Sequence, residues 1–285
     1  MDSIYGAFLV GSTAVLVACG GATKDPAAGR RISQLAVGRE QICVVRESGA
    51  LECFAVGGSL ADAVSPLAGR FKRVSIGYVG GAALQEDGLV QYWGVGDASL
   101  PTGVFLELAN DGTSACGIRT DRSLECGGQD WRLERAPLPG RFAQVVLAAG
   151  GVCGLTESGQ LLCRQGYPWP VPPPEGLDGL ISVAIEVTAS AGGCGLTRAG
   201  ALQCWGQVCA VPGVYRAVTL THTDTCALAQ SGELSCWANA ACHRDGSPPP
   251  SHPPRIPPAG AFGQLAASLE RTCAVNAAGD DVQCW

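Results

Sequence analysis

The sequence contains few charged residues. Only 15% of its 285 residues are Asp, Glu, Lys or Arg, against about 25% in an ordinary globular domain. The formal net charge is −6, and Lys and Arg form no basic cluster. Because nucleic-acid binding depends on cationic side chains that neutralise phosphates, we expect no nucleic-acid partner.

Motifs of catalysis and metal binding are also missing. The sequence has no Gly-x-Ser-x-Gly elbow, no His-Glu-x-x-His, no phosphate-binding loop and no Cys-x-x-Cys, and it has only three histidines. His222 and Asp224 stand two residues apart, but just before a predicted strand, which favours a turn over a catalytic dyad. We therefore predict no catalytic residue, no metal site and no cofactor, and an enzyme is the least favoured interpretation.

The longest apolar run, residues 4–17, is too short to cross a membrane as a helix. It suits the apolar core of a secretory signal. The residues at its end, Leu16-Val17-Ala18-Cys19-Gly20, resemble the bacterial lipobox, which implies lipidation of Cys19. The alternative is a buried free cysteine on a core helix. The lipobox interpretation predicts a signal peptide over 1–18, a lipid-anchored linker over 19–31 and attachment to the membrane through the lipid alone.

Cysteine is abundant, with 15 residues, and so is glycine, with 40. So many cysteines indicate an oxidising compartment. With Cys19 assigned to the lipid, an even number remains for disulfides. By the sorting rule for lipoproteins, Gly20 favours the outer membrane, so we expect a bacterial envelope protein on the periplasmic or surface side.

Seven repeats fill the rest of the chain, spaced 32 to 47 residues apart. They align on the anchors Cys43, Ala82, Cys116, Cys153, Cys194, Cys226 and Cys273. Eleven residues before the anchors stand the large apolar residues Ile32, Phe71, Phe105, Phe142, Val183, Tyr215 and Phe262. Five residues before them stand the small or short residues Gly38, Gly77, Asp111, Ala148, Ala189, Thr221 and Ser268.

Each repeat contains a predicted β-hairpin. Apolar and polar residues alternate through Cys-x-Leu-x-x-x-Gly-x-Leu-x-Cys, which is typical of strands. Folding residues 226–236 about Ser231 places Cys226 opposite Cys236, with Gly232 last in a three-residue loop that requires a left-handed residue. Glycine holds this position in five repeats, whereas Arg122 holds it in the third.

Directly opposed strand residues lie within disulfide range. This predicts six bridges within repeats: Cys43–Cys53, Cys116–Cys126, Cys153–Cys163, Cys194–Cys204, Cys226–Cys236 and Cys273–Cys284. In the second repeat Ala82 faces Tyr92, a small side chain against a large one. Metal ligation is disfavoured because each hairpin supplies only two ligands. Cys209 and Cys242 could join neighbouring repeats, or could remain two free thiols.

Seven such units over residues 32–285 predict an all-β, seven-bladed β-propeller stapled by hairpin disulfides. The repeat resembles that of the regulator of chromosome condensation family in a bacterial, cysteine-paired version. The resemblance covers about residues 26–285 and is carried by Cys204-Trp205-Gly206, Gln91-Tyr92-Trp93-Gly94, Cys236-Trp237-Ala238, Cys53-Phe54-Ala55 and Cys284-Trp285. It implies four-stranded blades. Its eukaryotic members act as nucleotide exchange factors, but no functional positions carry over to this chain.

The segments that follow the hairpins vary in length and could carry a binding site on a rigid scaffold. Exposed Trp, Tyr and Arg suit protein recognition. The candidate binding residues are Trp131, Tyr167, Trp169, His243, Arg244 and Arg255, although these side chains could merely cover their own blades. We predict a monomeric, non-enzymatic module that binds an unidentified protein through one propeller rim. The alternative is a structural or adhesive envelope component that contacts glycan or peptidoglycan.

Overall fold

The computed structural model describes residues 28–77, 80–94, 102–112, 114–128, 138–148, 151–165, 172–186, 192–239 and 256–285. These residues form seven antiparallel sheets of three strands each, and every sheet consists of three consecutive strands. We call the sheets blades 1 to 7, and their successive strands a, b and c. The predicted seven-bladed, all-β propeller is confirmed.

The strand bounds follow the repeats. Blades 1 and 2 contain β1 (Ile32–Val37), β2 (Gln41–Arg46), β3 (Leu51–Ala55), β4 (Phe71–Ile76), β5 (Gly80–Gln85) and β6 (Val90–Gly94). Blades 3 and 4 contain β7 (Phe105–Asn110), β8 (Ser114–Arg119), β9 (Leu124–Gly128), β10 (Phe142–Ala148), β11 (Gly151–Thr156) and β12 (Leu161–Gln165). Blades 5 to 7 contain β13 (Leu180–Ile185), β14 (Gly192–Thr197), β15 (Leu202–Gly206), β16 (Tyr215–Leu220), β17 (Asp224–Ala229), β18 (Leu234–Ala238), β19 (Phe262–Ala267), β20 (Thr272–Asn276) and β21 (Val282–Cys284). Two short 3-10 turns, Ala28–Arg30 and Leu60–Asp62, are the only helical elements of the described residues.

All six predicted hairpin bridges are present. They join Cys43–Cys53, Cys116–Cys126, Cys153–Cys163, Cys194–Cys204, Cys226–Cys236 and Cys273–Cys284, with Cα–Cα distances of 4.0–4.1 Å. Each bridge joins residues that are directly opposed in the b–c register, and Ala82 faces Tyr92 at the same place in blade 2. So many disulfides indicate an oxidising compartment, extracellular or periplasmic.

The turn between strands b and c has the predicted left-handed residue. Its φ angle lies between +80° and +90° at Gly49, Gly88, Gly159, Gly200, Gly232 and Gly279. Arg122 takes the same conformation in blade 3, with φ at +72°, and is the one described non-glycine residue with positive φ. The register of the turn therefore holds even where glycine is absent, although a Cβ makes this conformation unfavourable by roughly 1–2 kcal/mol.

Cysteines of one blade pack against large apolar side chains of the next blade. Cys43 and Cys53 of blade 1 pack on Phe71 and Val74 of blade 2, and Cys153 of blade 4 packs in one cluster with Trp205 of blade 5. The disulfides of blades 1 and 4 therefore belong to the core between two blades.

In blades 2 and 5 the tryptophan of the repeat motif lies opposite a glycine of strand b, whereas Trp237 of blade 6 lies opposite Thr225. A Cβ atom at Gly81 would lie 2.3 Å from the ring of Trp93, and one at Gly193 would lie 2.4 Å from that of Trp205. Strand pairing places these residues directly opposite each other. In these two blades the ring therefore lies over the backbone of strand b, at a position where a side chain would clash.

The a strands form a closed inner ring, since each contacts the a strand of the next blade and β19 contacts β1. At every joint the first residue of strand a donates its N–H to the carbonyl of the left-handed residue in the preceding hairpin. In chain order the pairs are Phe71–Gly49, Phe105–Gly88, Phe142–Arg122, Leu180–Gly159, Tyr215–Gly200 and Phe262–Gly232, and Ile32–Gly279 closes the ring. Among the described residues no strand is exchanged between the first and last blades, so blades 7 and 1 make the same contact as blades that follow each other in the chain.

Three features differ from expectation. The described blades have three strands, not four; an isolated bridge between Cys53 and Val64 occupies the outer edge of blade 1. Every a strand also carries a β-bulge after its first residue, for instance between Ile32 and Gln34, which the sequence did not reveal. Finally, the equivalent of Phe142 in blade 5 is Leu180, not Val183, because Leu180 pairs with Thr197 as Phe142 pairs with Thr156.

Candidate functional site

The propeller has two faces. The hairpin face carries the turns between strands b and c (47–50, 86–89, 120–123, 157–160, 198–201, 230–233 and 277–281), and each a strand begins there. The AB face carries the turns between strands a and b (38–40, 221–223 and 268–271 among those fully described), and each c strand ends there.

Buried polar side chains concentrate at the AB face. Those with at most 9% exposure that lie beside the turns between strands a and b are Asn110, Ser114, Glu186, Thr221, Asp224, Thr225, Ser268 and Thr272. They belong to blades 3, 5, 6 and 7. Because buried polar groups must be hydrogen-bonded, such a concentration fixes the geometry of the turns.

Among the three fully described turns of this face, that of blade 6 has the most side-chain hydrogen bonds. Thr221 Oγ1 accepts the N–H groups of Thr223 and Asp224 at 3.2 and 2.9 Å, and Thr223 Oγ1 donates to Asp224 Oδ2 at 2.8 Å. This bonding agrees with the predicted strand-entry turn. The N–H of His222 donates to the carbonyl of Leu269 in blade 7, at 2.7 Å, so the turn is also fixed from the neighbouring blade.

The chain leaves blade 6 beside this turn. The side-chain amide of Asn239, the residue directly after β18, donates to Thr221 O at 2.9 Å and accepts from Thr225 Oγ1 at 2.5 Å. Its backbone N–H donates to Thr223 O at 2.6 Å. Residues 240–255 therefore start from a fixed point on the AB face.

Glu186 and His222 approach each other across blades 5 and 6. The Glu186 side chain is completely buried, whereas that of His222 is 56% exposed, and Oε1 lies 3.7 Å from Nδ1. An acidic group removed from water and an imidazole at the surface give this side of the AB face a distinct polar character. The turns of blades 2 and 3 approach each other closely through their backbones, since a Cβ atom at Gly77 would lie 2.1 Å from the nitrogen of Gly112.

Sequence reasoning missed Glu186. The alignment at fixed offsets assigned its place to Ala189, which lies outside the described residues. Glu186 directly follows β13, as Gly38 follows β1, and its N–H donates to Gly192 O at 3.1 Å. Apolar residues at the first, fourth and sixth positions of β13 (Leu180, Val183 and Ile185) match those of β10 (Phe142, Val145 and Leu147). That spacing would have revealed the longer turn of blade 5.

The residue after the bulge is polar in every blade except blade 6, where it is Ala217. Gln34 bridges blades 1 and 2: its Nε2 donates to Val74 O at 2.9 Å, and its Oε1 accepts from Val74 N at 2.7 Å. Gln144 does the same with Val183 of blade 5. These glutamines join blades through backbone groups that in-blade pairing leaves unused.

Two charged residues replace glutamine in blades 2 and 3. Arg73 Nε lies 3.3 Å from Glu107 Oε2. Burial raises the pKa of Glu107, and attraction to Arg73 offsets only part of that effect. The ionised form of Glu107 is therefore destabilised by its burial in the wall of the inner ring.

The predicted binding residues Trp131, Tyr167, Trp169, His243, Arg244 and Arg255 lie outside the described residues, as do Cys19 and Cys242. The strands that precede these segments, β9, β12 and β18, all end at the AB face. Trp131, Tyr167 and Trp169 each stand within four residues of such a strand end.

Cys209 is described, and it is disulfide-bonded and only 1% exposed. Its predicted pairing with Cys242 stays a prediction. The carbonyl of Cys209 accepts from Trp237 Nε1 of blade 6 at 2.9 Å. The start of the segment after β15 thus packs against the next blade, near the AB face.

Within the described parts of the chain, no cluster of three or more His, Cys, Asp or Glu side chains could hold a metal ion. The same parts contain no helix that is long and apolar enough to span a bilayer.

Comparison with known proteins shows similarity in structure but not in sequence. Neither protein-family models nor curated proteins match the chain. The CRINKLY WD40 ectodomain of the Arabidopsis thaliana receptor kinase ACR4 is 17% identical with a TM-score of 0.66, over 90% of this chain and 95% of that one. The ectodomain of the Physcomitrella patens receptor kinase CR4 is 17% identical with a TM-score of 0.69, over 90% and 74% of the two chains.

A third similar structure is Prp20p (yeast RCC1) from Saccharomyces cerevisiae, whose binding to Gsp1p and histones has been described. It is 15% identical with a TM-score of 0.58, over 73% of this chain and 70% of that one. At such identities the likeness shows the fold alone. The expected resemblance to the regulator of chromosome condensation repeat is supported at the level of the propeller.

Proposed function

We propose that this chain is a non-enzymatic, lipid-anchored module of the bacterial envelope that binds a protein partner through its AB face. The observation that carries the proposal is the common exit of the variable segments. β9, β12 and β18 end on this face, and the start of the last segment is fixed by the three hydrogen bonds of Asn239.

Rigid attachment matters because binding loops lose conformational entropy when they are ordered on a partner. Loops that start from a fixed turn lose less. The segments supply Trp131, Tyr167, Trp169 and Arg244, residue types that dominate binding energy in protein interfaces. The similar structures agree with such a role, since Prp20p binds Gsp1p and another structure shows it bound to Kap60.

The anchor is proposed on the lipobox resemblance at Cys19, and the compartment on the disulfides. On these two grounds we propose that the partner lies outside the cytoplasm. A monomer with no cofactor and no metal remains part of the proposal.

Affinity capture with quantified variants tests the binding role. Residues 20–285, produced in an oxidising compartment, are crosslinked to envelope and secreted extracts, and the captured proteins are identified by mass spectrometry. One set of variants changes Trp131, Tyr167, Trp169 and Arg244 to Ala. A matched control changes the exposed hairpin-face residues Ser158 and Gln230 to Ala.

We expect one dominant protein that the first set loses at least tenfold and the control retains. The purified partner must then bind the purified chain with the same ranking. Loss in the hairpin-face control alone would contradict the assignment to the AB face. Enrichment of peptidoglycan without any protein would instead support a structural or adhesive role.

A further inference from the structure

We propose that the hairpin face lies against the lipid surface that carries the chain's own anchor, so that the AB face points away from the membrane. The inference rests on the proposed lipidation of Cys19. It adds an orientation, and with it a membrane-contacting surface, that lipidation alone does not supply.

The chain enters the propeller on the hairpin face. The N–H of Ile32 donates to Gly279 O in the hairpin of blade 7, at 2.6 Å, and the carbonyl of Arg31 accepts from Glu47 N in the hairpin of blade 1, at 2.8 Å. The guanidinium of Arg46 also donates to Arg30 O. Three bonds to two hairpins therefore fix the last residues before β1, and whatever precedes Ala28 starts from this face.

The point of entry is also close to the propeller axis, because β1 belongs to the inner ring of a strands. Nine residue steps separate Cys19 from Ala28, which can span at most about 30 Å. A compact domain of this size has a radius of roughly 20 Å, and six-residue strands add roughly 20 Å of thickness. A path from the axis around the rim to the AB face is about 40 Å long. Nine residue steps are therefore too short to let the AB face lie against the membrane.

Exposed apolar side chains on the hairpin face suit contact with a lipid interface. Leu89 is 46% exposed, Val104 42% and Val214 59%. Leu89 lies in the hairpin turn of blade 2, and the two valines directly precede the a strands of blades 3 and 6. Apolar groups of this kind can enter the headgroup region while the tether holds the protein close.

The turns of this face carry more acidic than basic side chains, and its arginines include several that are paired with carboxylates. Arg70 lies 2.8 Å from Glu86, while Arg122 and Arg141 share Glu157 at 3.2 and 2.9 Å. Such a surface has no strong attraction to anionic lipids. The tether therefore sets the orientation, which we expect to be insensitive to salt, unlike binding through a polybasic patch.

Quenching by lipids that carry a nitroxide on the headgroup tests the orientation. The full-length, lipidated protein is placed in vesicles of phosphatidylethanolamine and phosphatidylglycerol. A fluorophore is attached through an encoded azidophenylalanine at one exposed position at a time: Ala278 or Ser158 on the hairpin face, in blades 7 and 4, or Glu40 on the AB face, in blade 1. A Cys19→Ala protein with the same labels is the unanchored control.

We expect quenching at Ala278 and Ser158, little at Glu40, and the same ranking in high salt. Equal or stronger quenching at Glu40 would overturn the orientation while leaving the anchor intact. Quenching at Ala278 but not at Ser158 would show that the propeller stands edge-on to the membrane. That result would also overturn the proposed orientation. If the wild-type protein remains in the supernatant with Cys19→Ala, the proposed anchor fails, and the orientation fails with it.

Discussion

At the scale of single residues, Glu107 shows how the inner ring tolerates a charge. Gln34 and Gln144 at the same position bond the next blade without any charge. The pKa of Glu107 is raised by burial, so the folded protein holds this proton more tightly than the unfolded chain does. Ionised Glu107 therefore lowers stability at neutral pH, and stability recovers as the pH falls through its raised pKa.

We expect Glu107→Gln to be at least as stable as wild type at pH 7. Any advantage in stability over wild type should shrink as the pH falls, because wild-type Glu107 becomes protonated. Glu86→Gln is the matched control, because Arg70 lowers the pKa of the exposed Glu86 and reverses the sign. Glu86 contributes stability above its unfolded pKa that is lost in acid. Thermal melts from pH 4 to pH 7 measure both variants against wild type. A Glu107→Gln protein that is clearly less stable at pH 7 would show that the Arg73 ion pair outweighs burial.

At the scale of the element, alternation and spacing predicted the hairpin because both of its strands and its turn obey local rules. Cysteine spacing set the b–c register, and the left-handed turn residue followed from the loop length. The bulge in each a strand could not be predicted this way, since Ser33 and Lys72 in that position share no chemistry. Glu186 was missed for a related reason: a longer turn in blade 5 shifted it away from a fixed offset.

Blade 2 provides a test of that register. Ala82 and Tyr92 occupy the positions of the disulfide, and Tyr92 packs with Phe105 and Leu108 of blade 3. We expect Ala82→Cys with Tyr92→Cys to form a seventh hairpin bridge, equivalent to those of the other blades. Its loop-closure gain of roughly 3 kcal/mol should offset a similar loss of roughly 2–4 kcal/mol from removing the aromatic ring.

Tyr92→Ser, which leaves Ala82 in place, is the control and should show the packing loss alone. Thiol labelling of the unfolded, unreduced protein counts the bridge, and urea melts give the stabilities. Two extra free thiols in the double variant would mean that these side chains do not face each other in solution.

At the scale of the whole molecule, no disulfide between described residues joins blades 7 and 1, where the ring closes. Residues 32 and 279 lie far apart in the chain, and no local pattern marks their contact, so closure could not be predicted from the sequence. Gln264 Nε2 donates to Ile32 O at 2.9 Å across this joint. Side chains of both blades, including Val37 and Val275, share one apolar cluster there.

The joint between blades 7 and 1 should therefore open before the others do. At the remaining joints the chain continues from one blade into the next, and Gln34 makes two described bonds where Gln264 makes one. We expect Gln264→Leu to reduce stability by about 1 kcal/mol and to speed hydrogen exchange in β1 and β19 selectively. Gln34→Leu should reduce stability by about 2 kcal/mol. It should not speed hydrogen exchange selectively at the joint between blades 1 and 2, because the peptide chain connects these two blades. Hydrogen exchange followed by mass spectrometry distinguishes the two. Faster exchange spread evenly over all seven blades in Gln264→Leu would mean that the propeller opens as one cooperative unit, with no weak joint.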